Sequence, residues 1–425
     1  MTYFFKMVSA PLPKILMFGW EFPPYNSGGL GVACEGLVGG LARLGAPVTF
    51  VLPRKIDCRS GACRFLFSDD GHDGDKWNAV KEIAVNSPLS PYLTAAQYEE
   101  EYRVFAGKGV YHSVWRRDLV GEAMRYAGQA KTIAQKEDFD VIHCHDWLSL
   151  PAGLAAREAT GKPLIFHVHA IEYDRVGDNC LNADIRAIEK EGFDKADAVA
   201  AVSRYTKQRI INCYQADAEK INVVPNAVDR SKFPPRAAHD LWNLKKNGKK
   251  VVLFVGRLTF QKGPDYFLAA AKRVACADDS IMFVFSGSGD MERWLIEEAA
   301  RTGLADKVIF AGFLRGGDLH RLYQMADLYV MPSVSEPFGL TSLEALANGT
   351  PILISRQSGV SEMVSHCLKV DFWDVDQMAA KILAAARYPE LRQVLQDNGL
   401  SEVDKFSWVE SAKKCLGIYQ KVLAA

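Results

Sequence analysis

The stretch "VVLFVGRLTFQKG" occupies residues 251–263. Its first five positions are apolar without a break. Gly256 follows, then two cations, Arg257 and Lys262, before the next helical pattern. An uninterrupted apolar run of this length fits a strand covered on both faces, as in a parallel sheet. The preceding stretch, "NAVDRSKFPPRAAHDLWNLKKNGKK" (226–250), holds two prolines, a glycine and many basic residues, with no sustained period. It reads as a linker. A second α/β unit therefore starts at residue 251.

The same alternation is found on both sides. After the linker come strand patterns "IMFVFSG" (281–287), "KVIFAGF" (307–313), "LYVMPS" (328–333), "PILIS" (351–355) and "CLKVDF" (367–372). Before it come "KILMFGW" (14–20), "PVTFVLP" (47–53), "DVIHCH" (140–145), "PLIFHVH" (163–169), "AVAAVS" (198–203) and "INVVPN" (221–226). Helical patterns such as "GVACEGLVGGLARLG" (31–45) separate most of them. The prediction is an α/β protein of two doubly wound domains. Such sheets bind ligands beyond the carboxyl ends of their strands, and two facing sheets make a cleft. Residues 54–112 fit neither pattern and are expected to form loops with a short hairpin or helix. "FSWVESAKKCLGIYQKVLAA" predicts a final amphipathic helix.

Bulk composition narrows the function. A chain of 425 residues exceeds what one core usually organises. Lys plus Arg total 51 against 51 for Asp plus Glu, so no global field favours nucleic acid or an anionic membrane. An anion site must be local. The nine cysteines lack a disulfide-like spacing, which fits a reducing compartment. Cys58 and Cys63 lie close, but no second pair completes a zinc site. No run approaches the ~20 apolar residues of a membrane span. Residues 1–13 read as a loose leader, and the expectation is a cytoplasmic protein.

Four motifs could carry chemistry. In "FGWEFPPYNSGGLGVACEGLVGGL" (18–41), Gly28, Gly29 and Gly31 sit where a strand gives way to a helix. Backbone N–H groups and a helix N-terminus there suit an anion, and the residues also fit a plain tight turn. Arg257 and Lys262 follow a strand end, where a guanidinium fork and a point charge suit a diphosphate; a solvated surface would use the same residues. "SVSEPFGLTSLEALANGTPILIS" (333–355) places Glu336 and Glu344 around a Pro-Phe-Gly turn. Carboxylates accept paired sugar hydroxyls, and Phe338, Gly339 and Leu340 offer N–H groups. Glu344 also completes a capping box from Thr341. Lastly, "HCHDW" (143–147) and "HVHAIEYDR" (167–175) put His143 with His145, and His167 with His169, on shared strand faces. With Asp146 and Asp174 they raise a metal site. Alternatively His145 and His169 point into the cleft as hydrogen-bond donors.

The ordered series "SGGLG", "HCHDW", "VSRYT", "VVPNAVD", "VGRLTFQKG", "GSGD", "AGF" and "SEPFGLTSLEALANGTPILIS" resembles the retaining glycosyltransferases of family 4, and reaches the bacterial and archaeal glycogen and starch synthases. It spans about Lys14 to Tyr419. The resemblance implies a GT-B fold: two Rossmann-like domains, residues 1–235 and 236–404, facing across a cleft, with helix 405–425 returning to the first. It implies that Arg257 and Lys262 hold a donor diphosphate, met by Gly28 and Gly29 from the first domain. Glu344 would bind ribose. Glu336 and the N–H groups of Phe338 to Leu340 would hold the donor sugar, beside His169. Phe313 and Leu314 would face the base, with Gly287 in "SGSGD" lining the nucleotide pocket. Asp146 and Asp174 would also lie at the substrate.

The implied activity is retaining transfer of a hexosyl group, glucosyl by preference, from a nucleotide diphosphate sugar to a saccharide or other hydroxyl. UDP- or ADP-glucose is the expected donor, with no metal or other cofactor. Asn26 stands where the glycogen synthases carry a lysine, which points away from glucan synthesis from ADP-glucose. Two rivals remain: a non-hydrolysing nucleotide-sugar epimerase, active without an acceptor, and a silent nucleotide-sugar-binding protein.

Overall fold

The computed structural model describes residues 11–24, 28–55, 60–68, 119–176 and 181–425. Residues 1–10 of the expected leader, Asn26, Cys58 and residues 69–112 lie outside them.

Two parallel sheets form, one on each side of the linker. The first contains β1 (Ile15–Phe18), β2 (Val48–Leu52), β3 (Arg64–Phe67), β4 (Val141–His145), β5 (Leu164–Val168), β6 (Ala198–Ala201) and β7 (Ile221–Val223), in the order β3-β2-β1-β4-β5-β6-β7. The second contains β8 (Lys250–Val255), β9 (Ile281–Ser286), β10 (Val308–Gly312), β11 (Leu328–Met331), β12 (Ile352–Ser355) and β13 (Leu368–Val370), in the order β10-β9-β8-β11-β12-β13. Every named pairing is parallel.

The apolar runs follow from covering both faces. On β1, Leu16 and Phe18 join one core while Ile15 and Met17 join another. On β8, Val252 and Phe254 face one core, and Val251 and Leu253 the other. With both sides buried, no polar position is left to break the run.

β3 corrects the expectation of loops over residues 54–112. Arg64–Phe67 pairs with β2 in register, Thr49 to Arg64 through Leu52 to Phe67. It is an edge strand and only Leu66 is fully buried, so its apolar signal is weak.

Each sheet reverses its winding once. The first does so between β1 and β4, and the second between β8 and β11. Loops leaving neighbouring strands at such a point diverge to opposite faces and open a crevice. The loops carrying Gly28 and Asp146 leave the first switch point. Those carrying Lys262 and Glu336 leave the second.

The last helix, Trp408–Ala424, lies on the first domain. Gly36 and Gly40 of the helix Gly29–Arg43 sit beneath Trp408, where an added Cβ would meet the indole or its carbonyl within 2.3 Å. Tyr419 is fully buried, and its Oη lies 2.6 Å from Nδ1 of buried His143 on β4. This contact ties the chain end to the first sheet. Tyr419→Phe should strand the His143 nitrogen without a partner, costing about 1–3 kcal/mol. A urea titration of the variant beside the parent would show the loss; an unchanged midpoint would mean another group takes over the bond.

Candidate active site

A cavity of about 540 Å³ opens between the two switch points. It collects Gly28, Gly29, His169, Gly287, Phe313, Leu314, Glu336, Phe338, Gly339, Leu340 and Glu344, with Arg257 and Lys262. Four cations line it, Arg175, Arg257, Lys262 and Arg315, against two carboxylates, Glu336 and Glu344. The chain is neutral overall, yet this cleft is locally positive.

The cations are positioned by the turn after β8. Thr259 ends the extended chain, and a single turn over Phe260–Lys262 aims the lysine across the mouth of the sheet. Lys262 Nζ donates to Glu336 Oε2 at 2.6 Å, and Ser333 Oγ donates to the same oxygen at 3.1 Å. Glu336 is only 6 % exposed. Its N–H reaches the Gln357 carbonyl at 3.0 Å, and its own carbonyl accepts the Gly359 N–H at 2.9 Å. Arg257 Nη2 donates to Gln261 Oε1 at 3.0 Å, and Gln261 Nε2 donates to the Ser335 carbonyl at 3.1 Å. One glutamine thus connects the arginine to the residue before Glu336.

Gly287 makes the floor possible. Its φ is +142°, and a Cβ there would stand 1.9 Å from the Gly256 carbonyl oxygen. Any side chain would push apart the turns after β8 and β9. Beyond it, Phe313 is 53 % exposed and the Arg315 guanidinium sits 4.7 Å from its ring centre. The pair forms a flat, cationic wall.

Glu344 does not close a capping box. The helix Leu340–Ala347 starts after Gly339 at φ +110° with no side-chain cap. Glu344 instead accepts from Tyr323 Oη at 3.3 Å, and burial raises its pKa. Gly28 precedes the helix Gly29–Arg43 in extended conformation, again without a side-chain cap, and buried Glu21 accepts the Gly31 N–H at 2.8 Å.

Asp146 and Asp174 do not line the cleft, which corrects their placement at the substrate. Each is 2 % exposed. Asp146 has φ +55° and turns its carboxylate under the loop after β5, where Oδ1 accepts the N–H of His169 at 2.6 Å and of Ala170 at 3.2 Å. It shapes the loop that presents His169. Asp174 accepts from the Ile171 N–H and from Ser335 Oγ of the other domain.

The histidines form one stack, with His143, His145 and His167 buried and His169 half-buried at its cavity end. His143 Nε2 lies 3.1 Å from His167 Nδ1, and His145 Nδ1 lies 3.0 Å from His169 Nε2. Ring centres of neighbours are 4.5–5.2 Å apart. Only His169 reaches the cavity. His145 is fully buried, contrary to its expected place as a cleft donor. Ring nitrogens of His145, His167 and His169 lie within 4.8 Å of one another, as do ligand atoms of His143, His167 and Cys415, so these are the described groups that could take a cation.

Several cavity residues escaped the motif reading. Arg175, in the quoted "HAIEYDR", stands 3.6–3.8 Å from Asp146, Glu172 and Glu189. Asn226 and Gln261 are buried polar residues on the lining. Their signal was position directly after a strand or turn already singled out.

This architecture matches known proteins. Residues 239–401 match the family "Glycosyl transferases group 1", and residues 27–232 match "Glycosyltransferase Family 4". The chain is a GT-B glycosyltransferase. It is 30% identical to a glycogen synthase of Mycobacterium tuberculosis over 83% of this chain and 80% of that one. It is 33% identical to a D-inositol 3-phosphate glycosyltransferase of Salinispora tropica over 81% of this chain and 79% of that one. An uncharacterized glycosyltransferase of Methanocaldococcus jannaschii is 28% identical over 96% and 98%. Among solved structures, sucrose-phosphate synthase from Thermosynechococcus elongatus overlays with a TM-score of 0.73 at 20% identity, covering 97% of this chain and 99% of that chain. HepE from Anabaena, solved with UDP and glucose, overlays at 0.69 and 16%, covering 96% and 100%. No helix among the described residues of this glycosyltransferase is long and apolar enough to cross a membrane.

Burial gives the histidine stack a pH signature. It holds His169 down to about 3 and the other three well below 6.5, so all are neutral at pH 7. Below about pH 6.5 the unfolded chain takes up protons that the fold refuses, and stability falls as pH drops towards 3. Burial pushes four carboxyls the other way, Asp146 to about 6, Glu189 to about 8 and Asp265 and Glu344 upward as well, and their cost is relieved on acidification. Between pH 7 and 5 the unfolded chain protonates all four stacked histidines, and His320, also held low by burial, adds to them, so the histidines set the sign. The melting midpoint should therefore fall over this range; a flat or rising midpoint would contradict a neutral stack.

Proposed function

We propose that the enzyme transfers a hexosyl group, glucosyl in our reading, from a nucleotide diphosphate sugar to a hydroxyl of a saccharide or other acceptor, with retention at the anomeric carbon. The observation carrying this is the 2.6 Å contact of Lys262 with Glu336 at the second switch point. It joins a cation suited to the leaving diphosphate to a carboxylate suited to the hydroxyls of the departing sugar. HepE structures solved with UDP-glucose, and relatives named glycogen synthase, support a nucleotide-sugar donor. UDP- and ADP-glucose are the donors we propose. Relatives named for D-inositol 3-phosphate widen the acceptors to small hydroxyl compounds.

In this proposal Arg257 and Lys262 grip the diphosphate from the second domain, and the N–H groups at Gly28 and Gly29 meet it from the first. Glu344 takes the ribose, and the wall of Phe313 and Leu314 beside Gly287 takes the base. Glu336 and the N–H groups of Phe338, Gly339 and Leu340 hold the sugar, with His169 beside it as a neutral hydrogen-bonding group. As the C1–oxygen bond breaks, its electron pair goes to the phosphate oxygen. That oxygen accepts the proton of the incoming hydroxyl on the same face. The fixed cations stabilise the developing charge with little reorganisation. No metal is assigned a part, and a reducing cytoplasm is the proposed compartment.

Lys262→Ala should lower kcat by the equivalent of about 2–4 kcal/mol while nucleoside diphosphate affinity changes far less. Glu344→Ala should weaken nucleotide binding without lowering the melting midpoint. The decisive experiment is a thermal-shift screen of UDP-, ADP- and GDP-sugars, followed by NMR of the product formed with the best donor. An inverted anomer would exclude the same-face route. Turnover of the donor without an acceptor to a new nucleotide sugar would point to an epimerase, and binding without any turnover to a silent module.

A further inference from the structure

"VSRYT" (202–206) has no part in the chemistry above, yet the second domain grips it at several points. It opens the helix Arg204–Tyr214 of the first domain, with Ser203 as N-cap. The Glu362 carboxylate, from the second domain, accepts the N–H groups of Arg204 and Tyr205. Ser203 Oγ and Thr206 Oγ1 donate to the Pro337 carbonyl at 2.6 and 3.1 Å. Tyr205 Oη lies 3.0 Å from Ser335 Oγ, which donates to Asp174 Oδ1 at 2.6 Å. Arg209 Nε approaches the same carboxylate oxygen at 2.8 Å. The packing is built for this approach: a Cβ on Gly359 would stand 2.2 Å from the Pro337 carbonyl oxygen and 2.5 Å from Ser203 Cβ.

The gripped residues are consecutive with the one that matters. Ser335 and Pro337 are held by the first domain, and Glu336 between them is turned to the cavity. We propose that Ser335, with Asp174 and Tyr205, is a positioning latch: docking of the first domain on Ser335 and Pro337 sets Glu336 for the reaction, so the donor site is complete only when the domains are closed. When the domains part, Ser335 Oγ and the Pro337 carbonyl lose their partners, as do the leading N–H groups of the helix. The Glu336 backbone keeps its bonds to Gln357 and Gly359 of its own domain, but the residues on either side of it lose their anchors in the first domain. Gln261 extends the coupling to Arg257, because it joins that guanidinium to the Ser335 carbonyl. Asp174, buried outside the cleft, acts in this proposal only through Ser335.

The role given to Glu336 rests on the function proposed above, so the test has two arms. In steady-state transfer with UDP-glucose or ADP-glucose, Ser335→Ala removes a hydrogen bond to a charged group. It should lower kcat by about 10–100-fold, leaving donor KM and UDP or ADP affinity within about twofold. Ser335→Thr, which keeps the hydroxyl, should restore most of kcat. Tyr205→Phe should lower kcat less, and adding it to Ser335→Ala should cost nothing further. In the second arm, hydrogen exchange is read at the amides of Arg204, Tyr205 and Gly359. It should speed up in Ser335→Ala and Tyr205→Phe while exchange in β1 and β8 stays unchanged. A loss seen entirely in donor KM and nucleotide affinity with kcat unchanged, or additive losses in the double variant, would overturn the latch. So would unchanged exchange at those amides, even if the wild-type enzyme transferred no sugar. A wild type without transfer but with the expected exchange pattern would instead count against the proposed function alone.

Discussion

Lys262 and Glu336 are 74 positions apart and share one 2.6 Å contact. A lysine and a glutamate this close, with 21 % and 8 % of their side chains exposed, depend on being paired. The pair exists because β8 and β11 are neighbours with opposite winding beyond them. Their loops leave side by side at the carboxyl ends of the strands, and the crevice between them is the cavity. Much else in the second domain serves this junction. Ser333 shares the carboxylate, Gln261 connects Arg257 to the same loop, and Gly287 lets the floor come close enough to β8.

The first domain contributes a different kind of surface. Its stacked histidines are neutral, and the half-buried His169 brings a hydrogen-bonding face rather than charge to the cavity. Asp146 is spent on two backbone N–H groups that present His169. Positive charge in the cleft comes mostly from the second domain, with Arg175 held among three acids on the first. A leaving diphosphate would therefore meet fixed cations on one wall and a largely neutral wall opposite. That division suits a reaction in which one partner carries the charge and the other is a neutral hydroxyl.

The interface between the domains is not a passive contact. Hydroxyls of Ser203, Thr206, Tyr205 and Ser335 form its polar part, with Glu362 capping a helix that belongs to the other domain, beside an apolar cluster that runs through both domains. Polar, hydrogen-bonded contacts of this kind separate at lower cost than an apolar core would.

The sequence by itself determined the α/β class and the two-sheet division. It also determined most strands and about half of the residues that line the cleft, Arg257, Lys262, Glu336 and Glu344 among them. These are local signals: apolar runs, glycine turns, and charges placed directly after strands. β3 escaped because an edge strand is half-exposed and loses the unbroken run. The burial of Asp146, Asp174 and His145 away from the cleft was decided only by the tertiary structure. Each sits in a motif that looks like substrate chemistry, but burial and partner choice depend on which distant loop arrives beside it. Ser335 meets Asp174 across 161 positions and Tyr419 meets His143 across 276, and no local pattern encodes such meetings. They follow from the strand order and from how the two sheets face each other, and those are properties of the whole fold.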